Sequence, residues 1–141
     1  MNEGFFAEQF RSFIFDNHPD IIATMGKELE NYIKSKAENA AIYYDNIVRI
    51  GTQPGFALDQ ANTKMKEGML FSKFNEIKEI VEEYYFDYIE NLSYSEQVDF
   101  IVKLIAVCDG VFENYDTSDD FIYTDALTTE LLGTIDLYLK G

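Results

Sequence analysis

This 141-residue chain has no tryptophan, a single cysteine (Cys108), a single histidine (His18) and two prolines (Pro19 and Pro54). Each scarcity excludes something. One cysteine closes no internal disulfide, which suits a reducing compartment. One histidine leaves little room for proton-transfer catalysis near neutral pH or for a histidine-rich zinc site. His18 precedes Pro19 at a helix end, where an imidazole caps the last free carbonyls and, when protonated, meets the negative end of the helix dipole. Cys108 falls on an apolar helical stripe, a setting that raises a thiol pKa and makes the group inert. Glycines do not form a phosphate-binding loop either: Gly51 and Gly55 flank Pro54, and no Gly-Lys-Ser or Gly-Lys-Thr follows. No apolar run approaches the ~18 to 20 residues of a membrane span, and no basic region leads into an apolar stretch and cleavage site at the N-terminus. A soluble, cytoplasmic, unprocessed protein is the expectation.

Basic residues are scarce as well, 11 against 26 acids, for a net charge of −15. Strong acidity with low hydrophobicity would mean disorder, but 47% hydrophobic residues with 12 Phe and 10 Tyr are far from that signature. The chain folds, and its length suits one domain over 1–141. Helical spacing without the alternation of exposed strands predicts an all-α, compact multihelical bundle of about six helices around one long central helix. The first spans 3–16 with Phe6, Phe10, Phe13 and Ile14 on one stripe. Residues 20–26 are ambiguous. The long helix, 27–50, repeats Leu29, Ile33, Ala37, Ala40, Tyr44 and Ile47 and stops at Gly51. A shorter one buries Ala57, Leu58, Ala61, Met65 and Met69 and frays near Gly68. Ser72 caps the next, whose buried stripe is Phe74, Ile77, Val81, Tyr84 and Tyr88. Ser93 and Glu96 form a capping box before Val98, Ile101, Val102, Ile105 and Cys108. The last helix, 125–139, packs Leu127, Leu131, Ile135 and Tyr138, and Gly133 within it predicts the close approach of another backbone.

Charge is unevenly placed. Residues 82–141 hold 14 carboxylates against Lys103 and Lys140, net −12, and residues 1–81 carry only −3. Such a field favours basic partners and repels nucleic acid and anionic membranes. The basic-leaning stretch Lys64, Lys66, Lys73 and Lys78 is balanced by Glu67, Glu76 and Glu79 to +1, so neither direct DNA binding nor membrane binding is expected. Glu82, Glu83, Tyr85, Phe86, Asp87 and Glu90 form a candidate interaction patch, with Tyr85 or Phe86 at the margin of the core. A helix of 18 residues is ~27 Å long, a length over which duplex DNA bears roughly 16 charges. The −12 of residues 82–141 approaches that number, which makes DNA mimicry toward a basic protein a candidate role; a solvated acidic face is the plainer alternative.

Metal chemistry has two candidate patterns. Asp116, Asp119 and Asp120 offer oxygen ligands, but positions six and twelve counted from Asp116 are Phe121 and Leu127, not the Gly and Glu of an EF-hand. Asp119, Asp120 and Asp125 also sit where side chains cap the last helix. Pro19-Asp20 with Glu76-Ile77-Lys78 superficially matches a one-metal nuclease signature, which needs paired strands where helices are expected.

The phrases Phe13-Ile14-(x)3-His18-Pro19, Gly68-Met-Leu-Phe71-Ser72-(x)-Phe74, Phe112-(x)2-Tyr115-(x)3-Asp119-Asp120-Phe121 and Glu130-Leu131-(x)-Gly133-Thr134-Ile135 resemble, in order and spacing, the bacterial domain-of-unknown-function family 1896. The likeness spans nearly the whole chain and departs from it in the Ile21 to Gly26 run. It implies an all-helical protein of Bacteroides-group bacteria, often in or near mobile genetic elements, with no assigned activity and no catalytic residues to carry over. The functional expectation is a non-enzymatic acidic accessory protein, DNA-mimic-like, that binds a basic protein surface. No cofactor is expected, and self-association to a homo-oligomer stays open. The alternative is a carboxylate-based metal-dependent enzyme using the 116–120 loop.

Overall fold

The computed structural model describes residues 3–141, and every regular element among them is helical. The described residues group into two compact units, 1–70 and 71–141, each with its own apolar cluster.

In the first unit, α1 (Glu3–Asn17) buries Phe6, Phe10 and Ile14, three residues spaced four apart and therefore on one face. That face packs on α3 (Leu29–Arg49), which presents Leu29, Ile33, Ala37 and Ala40; α3 in turn packs on α4 (Pro54–Met65) through Ala57, Ala61 and Met65. Each large side chain removed from water contributes about 1.5 to 3 kcal/mol before entropy is counted. The ambiguous segment is a short helix, α2 (Pro19–Met25), begun by a proline whose fixed φ suits the first helical position. It ends at Gly26, whose φ of 53° side chains rarely adopt, and a single 3-10 turn leads into α3. As expected, Gly51 closes α3, with φ 104°.

The second unit comprises α5 (Lys73–Tyr84), α6 (Tyr94–Val107), α7 (Asp109–Phe112) and α8 (Asp125–Lys140). Its core joins Phe74, Ile77, Val81, Ile101, Leu104, Leu131 and Ile135. Both caps read from the sequence are present. Ser72 Oγ accepts from Asn75 N at 3.0 Å, and Ser93 with Glu96 makes the reciprocal box at 3.2 and 3.0 Å. No helix among the described residues is long and apolar enough to cross a membrane.

Three sequence expectations are corrected in this unit. Tyr84 and Tyr88 are exposed rather than buried, and Tyr85 is the buried ring. The reason is phase: Tyr85, four residues after Val81 and bonded to its carbonyl at 2.9 Å, continues the Ile77–Val81 face and leaves Tyr84 outside it, while beyond Tyr85 (φ −134°) a 3-10 turn over 86–88 replaces the continued helix and Tyr88 faces out. Tyr138 is 44% exposed, lying below Lys103, whose ammonium sits 5.9 Å from its ring centroid. Among the described residues no other backbone lies close to Gly133; a Cβ there would meet nothing within 4 Å.

Candidate functional site

His18 has a partner other than the helix end expected from the sequence. The imidazole is buried, its ring packs 5.4 Å from Phe13, and Nε2 lies 2.8 Å from the Met69 carbonyl oxygen. A carbonyl only accepts, so Nε2 carries the proton and donates. The ring does not cap the end of α1, as the sequence suggested; it ties the turn after α4 to the start of α2. Asp20, Glu76 and Lys78 lie on helices of separate units, without the paired strands a nuclease site requires among the described residues.

The 113–124 connection carries the acids singled out for metal. Asp116 Oδ1 accepts from Ser118 N at 2.9 Å, and Ser118 Oγ from Asp120 N at 3.2 Å, so the loop is folded by its own side chains. Hydrogen bonding by Ser118, first from its side chain and then from its backbone N–H, holds the Asp116 carboxyl below its usual range. Among the described residues no three Asp, Glu, His or Cys side chains converge to hold a metal, so Asp116, Asp119 and Asp120 are not gathered into a ligand set. At the start of α8, Thr124 occupies the N-cap position without a side-chain cap bond, and Asp125 is the first-turn acid that the helix dipole favours, as the plainer reading placed it.

Instead, the loop borders a half-open cavity of about 240 Å³. Phe71, Tyr115, Phe121 and Tyr123 line it, and Asp116 and Asp120 are among the same lining residues. Phe71 and Phe121 meet edge to face with centroids 4.9 Å apart. The Tyr115 hydroxyl donates to Glu130 Oε2, which raises the phenol above its usual pKa, and the Tyr123 hydroxyl sits 2.8 Å from Thr128 Oγ1. Helix α8 thereby fixes two of the four rings by their polar ends. Sequence reading named Asp116 and Asp120 but missed the cavity, because its aromatic members are scattered over 53 positions; the pair Phe71 and Phe121, each inside a phrase of the family resemblance, was the available signal.

The candidate patch at 82–90 is only partly a surface. Glu82, Glu83, Phe86, Asp87 and Glu90 are exposed, but Tyr85 is not part of it. Its hydroxyl donates to Asp136 Oδ1 at 2.8 Å, and Lys140 Nζ reaches the same oxygen at 2.9 Å. Burial first, then the bond to Asp136, pushes the Tyr85 phenol up to about 12, while Lys140 and Tyr85 hold the Asp136 carboxyl low. Beside this cluster runs an open groove of about 450 Å³ lined by Tyr84, Leu132 and Gly133. The absent side chain at Gly133 leaves it open.

A group whose folded pKa is raised stabilises the fold fully below its unfolded pKa and loses that contribution as pH climbs through the folded value. Tyr85 thus implies a loss of stability between about pH 10 and about pH 12. Tyr85→Phe is expected to cost about 1.5 to 3 kcal/mol at pH 7, the worth of a hydrogen bond to a charged group, and to shrink the alkaline loss, read by urea midpoints at pH 7, 10 and 11. An unchanged alkaline profile would contradict this assignment.

A family profile described as "Domain of unknown function (DUF1896)" matches residues 2–141. The crystal structure of protein PG0816 from Porphyromonas gingivalis is similar in fold, with a TM-score of 0.80 over 98% of this chain and 91% of that one, at 21% identity. No curated protein shows significant sequence similarity.

Proposed function

Since the chain belongs to the DUF1896 family, whose description assigns no activity, we propose from its own chemistry that it is a cytoplasmic, non-enzymatic accessory protein that docks on a basic protein surface. The observation that carries this is how unit 71–141 uses its few cations. It has sixteen carboxylates and four lysines, net −12, against −3 for residues 1–70. Two of the four lysines meet carboxylates, Lys78 with Glu82 at 3.9 Å and Lys140 with Asp136 at 2.9 Å. The other two, Lys73 and Lys103, lie over the rings of Phe112 and Tyr138. The unit's field is therefore left for a partner to answer, and that kind of complementarity speeds encounter and selects cationic partners. The free, buried thiol of Cys108 suits a reducing cytoplasm.

Rod-like imitation of DNA has less support than docking on scattered charge. Helix α8 spans 16 residues, or ~24 Å, over which duplex DNA would show roughly 14 charges; it carries Asp125, Glu130 and Asp136. A DNA-handling protein of a mobile element, the setting implied by the family resemblance, remains a fitting partner because its nucleic-acid groove is cationic.

Titration calorimetry of the full chain with a lysine-rich polypeptide and with duplex DNA tests this reading. Affinity for the polypeptide is expected to fall about tenfold or more between low and high salt, with no binding to DNA. Salt-independent binding, or binding to DNA, would overturn it.

A further inference from the structure

The cavity between Phe71, Tyr115, Phe121 and Tyr123 has a shape and a polarity that the acidic surface alone does not explain. Its roughly 240 Å³ lie below the ~300 Å³ at which pockets for drug-sized ligands begin. That is room for one side chain. Aromatic faces carry partial negative charge and attract cations, and Asp116 and Asp120 add full negative charge at the same place. Among the described residues that line it, none is a lysine or arginine. We propose that this cavity receives a single lysine side chain of the basic partner, the stem lying along the rings and the ammonium between them and the two carboxylates.

The choice of lysine over arginine follows from the chain's own habits. Five of its lysines place the ammonium over a ring: Lys36 on Tyr32, Lys64 on Tyr43, Lys66 on Phe13, Lys73 on Phe112 and Lys103 on Tyr138, at 5.0 to 5.9 Å from the centroids. A chain of this length has about two significant cation–π contacts as a rule. Arg11, by contrast, forks onto the carboxylates of Glu8 and Glu30 at 2.8 and 2.9 Å. Each cation set over a ring in these five contacts is an ammonium, and the cavity has four rings.

This inference rests on the proposed docking role, and the two fail differently. The test is aromatic-resonance NMR of the full chain titrated with acetyl-lysine amide, its neutral analogue acetyl-norleucine amide, and acetyl-arginine amide. The lysine probe is expected to shift the Tyr115, Phe121 and Tyr123 ring signals saturably, with norleucine and arginine binding more weakly. Asp120→Asn, an isosteric change on an exposed loop residue, is expected to weaken the lysine probe about two- to fivefold without moving the thermal midpoint. Equal binding of norleucine, tighter binding of arginine, unmoved ring signals, or an Asp120→Asn affinity equal to wild type would overturn the lysine cavity. If the lysine-rich polypeptide still binds in a salt-dependent way with the cavity rings unmoved, docking stands and only the cavity assignment falls.

Discussion

Phe10→Ala is expected to cost about 3 to 5 kcal/mol, the usual range for a fully buried phenylalanine replaced by alanine. Phe10 has no exposed surface. Its ring lies 5.6 Å from Tyr32 on α3 and stacks at 6.3 Å on Phe13, so the substitution removes both an anchor between α1 and α3 and a cavity's worth of packing. Domains of this size hold about 5 to 15 kcal/mol in total, which makes the loss a large fraction of the whole. The check is the denaturant midpoint at unchanged m-value, with hydrogen exchange showing the lost protection in α1 and α3. Phe5→Ala on the same helix, at a residue 37% exposed, is the control and should cost far less. A Phe10→Ala cost below about 1 kcal/mol would mean that the cluster of unit 1–70 closes over the hole or that α1 does not pack as described.

Cys108 is expected to be almost unreactive in the folded protein. The side chain has no exposed surface, and burial pushes its thiol up to about 11 from 9.0. At pH 8 the reactive thiolate is then about a hundredfold scarcer than in the unfolded chain. Steric shielding slows the reaction further. Labelling by a thiol-disulfide reagent should therefore be at least about a hundredfold slower in buffer than in denaturant, and should track unfolding. The pH sign is the same as for Tyr85: stability supplied by the neutral thiol is complete below pH 9 and lost as pH rises toward 11. Fast labelling of the folded protein would contradict the burial of the residue at the end of α6.

Much of the fold was legible because the signals were local. The stripes of α1 and α3, the stop at Gly51, the Ser72 cap and the Ser93/Glu96 box each depend on residues within one or two turns, and all are present. Reading failed at the end of α5. A step of three from Val81 assigned the core to Tyr84, whereas the buried face runs on by four to Tyr85, and a 3-10 turn over 86–88 then leaves Tyr88 exposed. Gly133 misled for another reason: glycine inside a helix has several uses, and an open groove wall is as good a use as a helix crossing. At the site, the acids of 116–120 were visible as composition, but whether they surround a metal or flank aromatic rings is decided by residues as distant as Phe71. No spacing rule reaches that far.

The placement of charge is the center of the functional account, and one comparison tests it directly. A variant with Glu82→Gln, Glu83→Gln, Asp87→Asn and Glu90→Gln loses four exposed carboxylates of unit 71–141; its counterpart with Glu3→Gln, Asp16→Asn, Glu28→Gln and Asp59→Asn loses four exposed ones from unit 1–70. Binding of both to the lysine-rich polypeptide is measured against salt. The account predicts that the first variant loses about tenfold or more in affinity at low salt with a flatter salt dependence, while the second stays within about twofold of wild type. Equal losses in the two variants would contradict it.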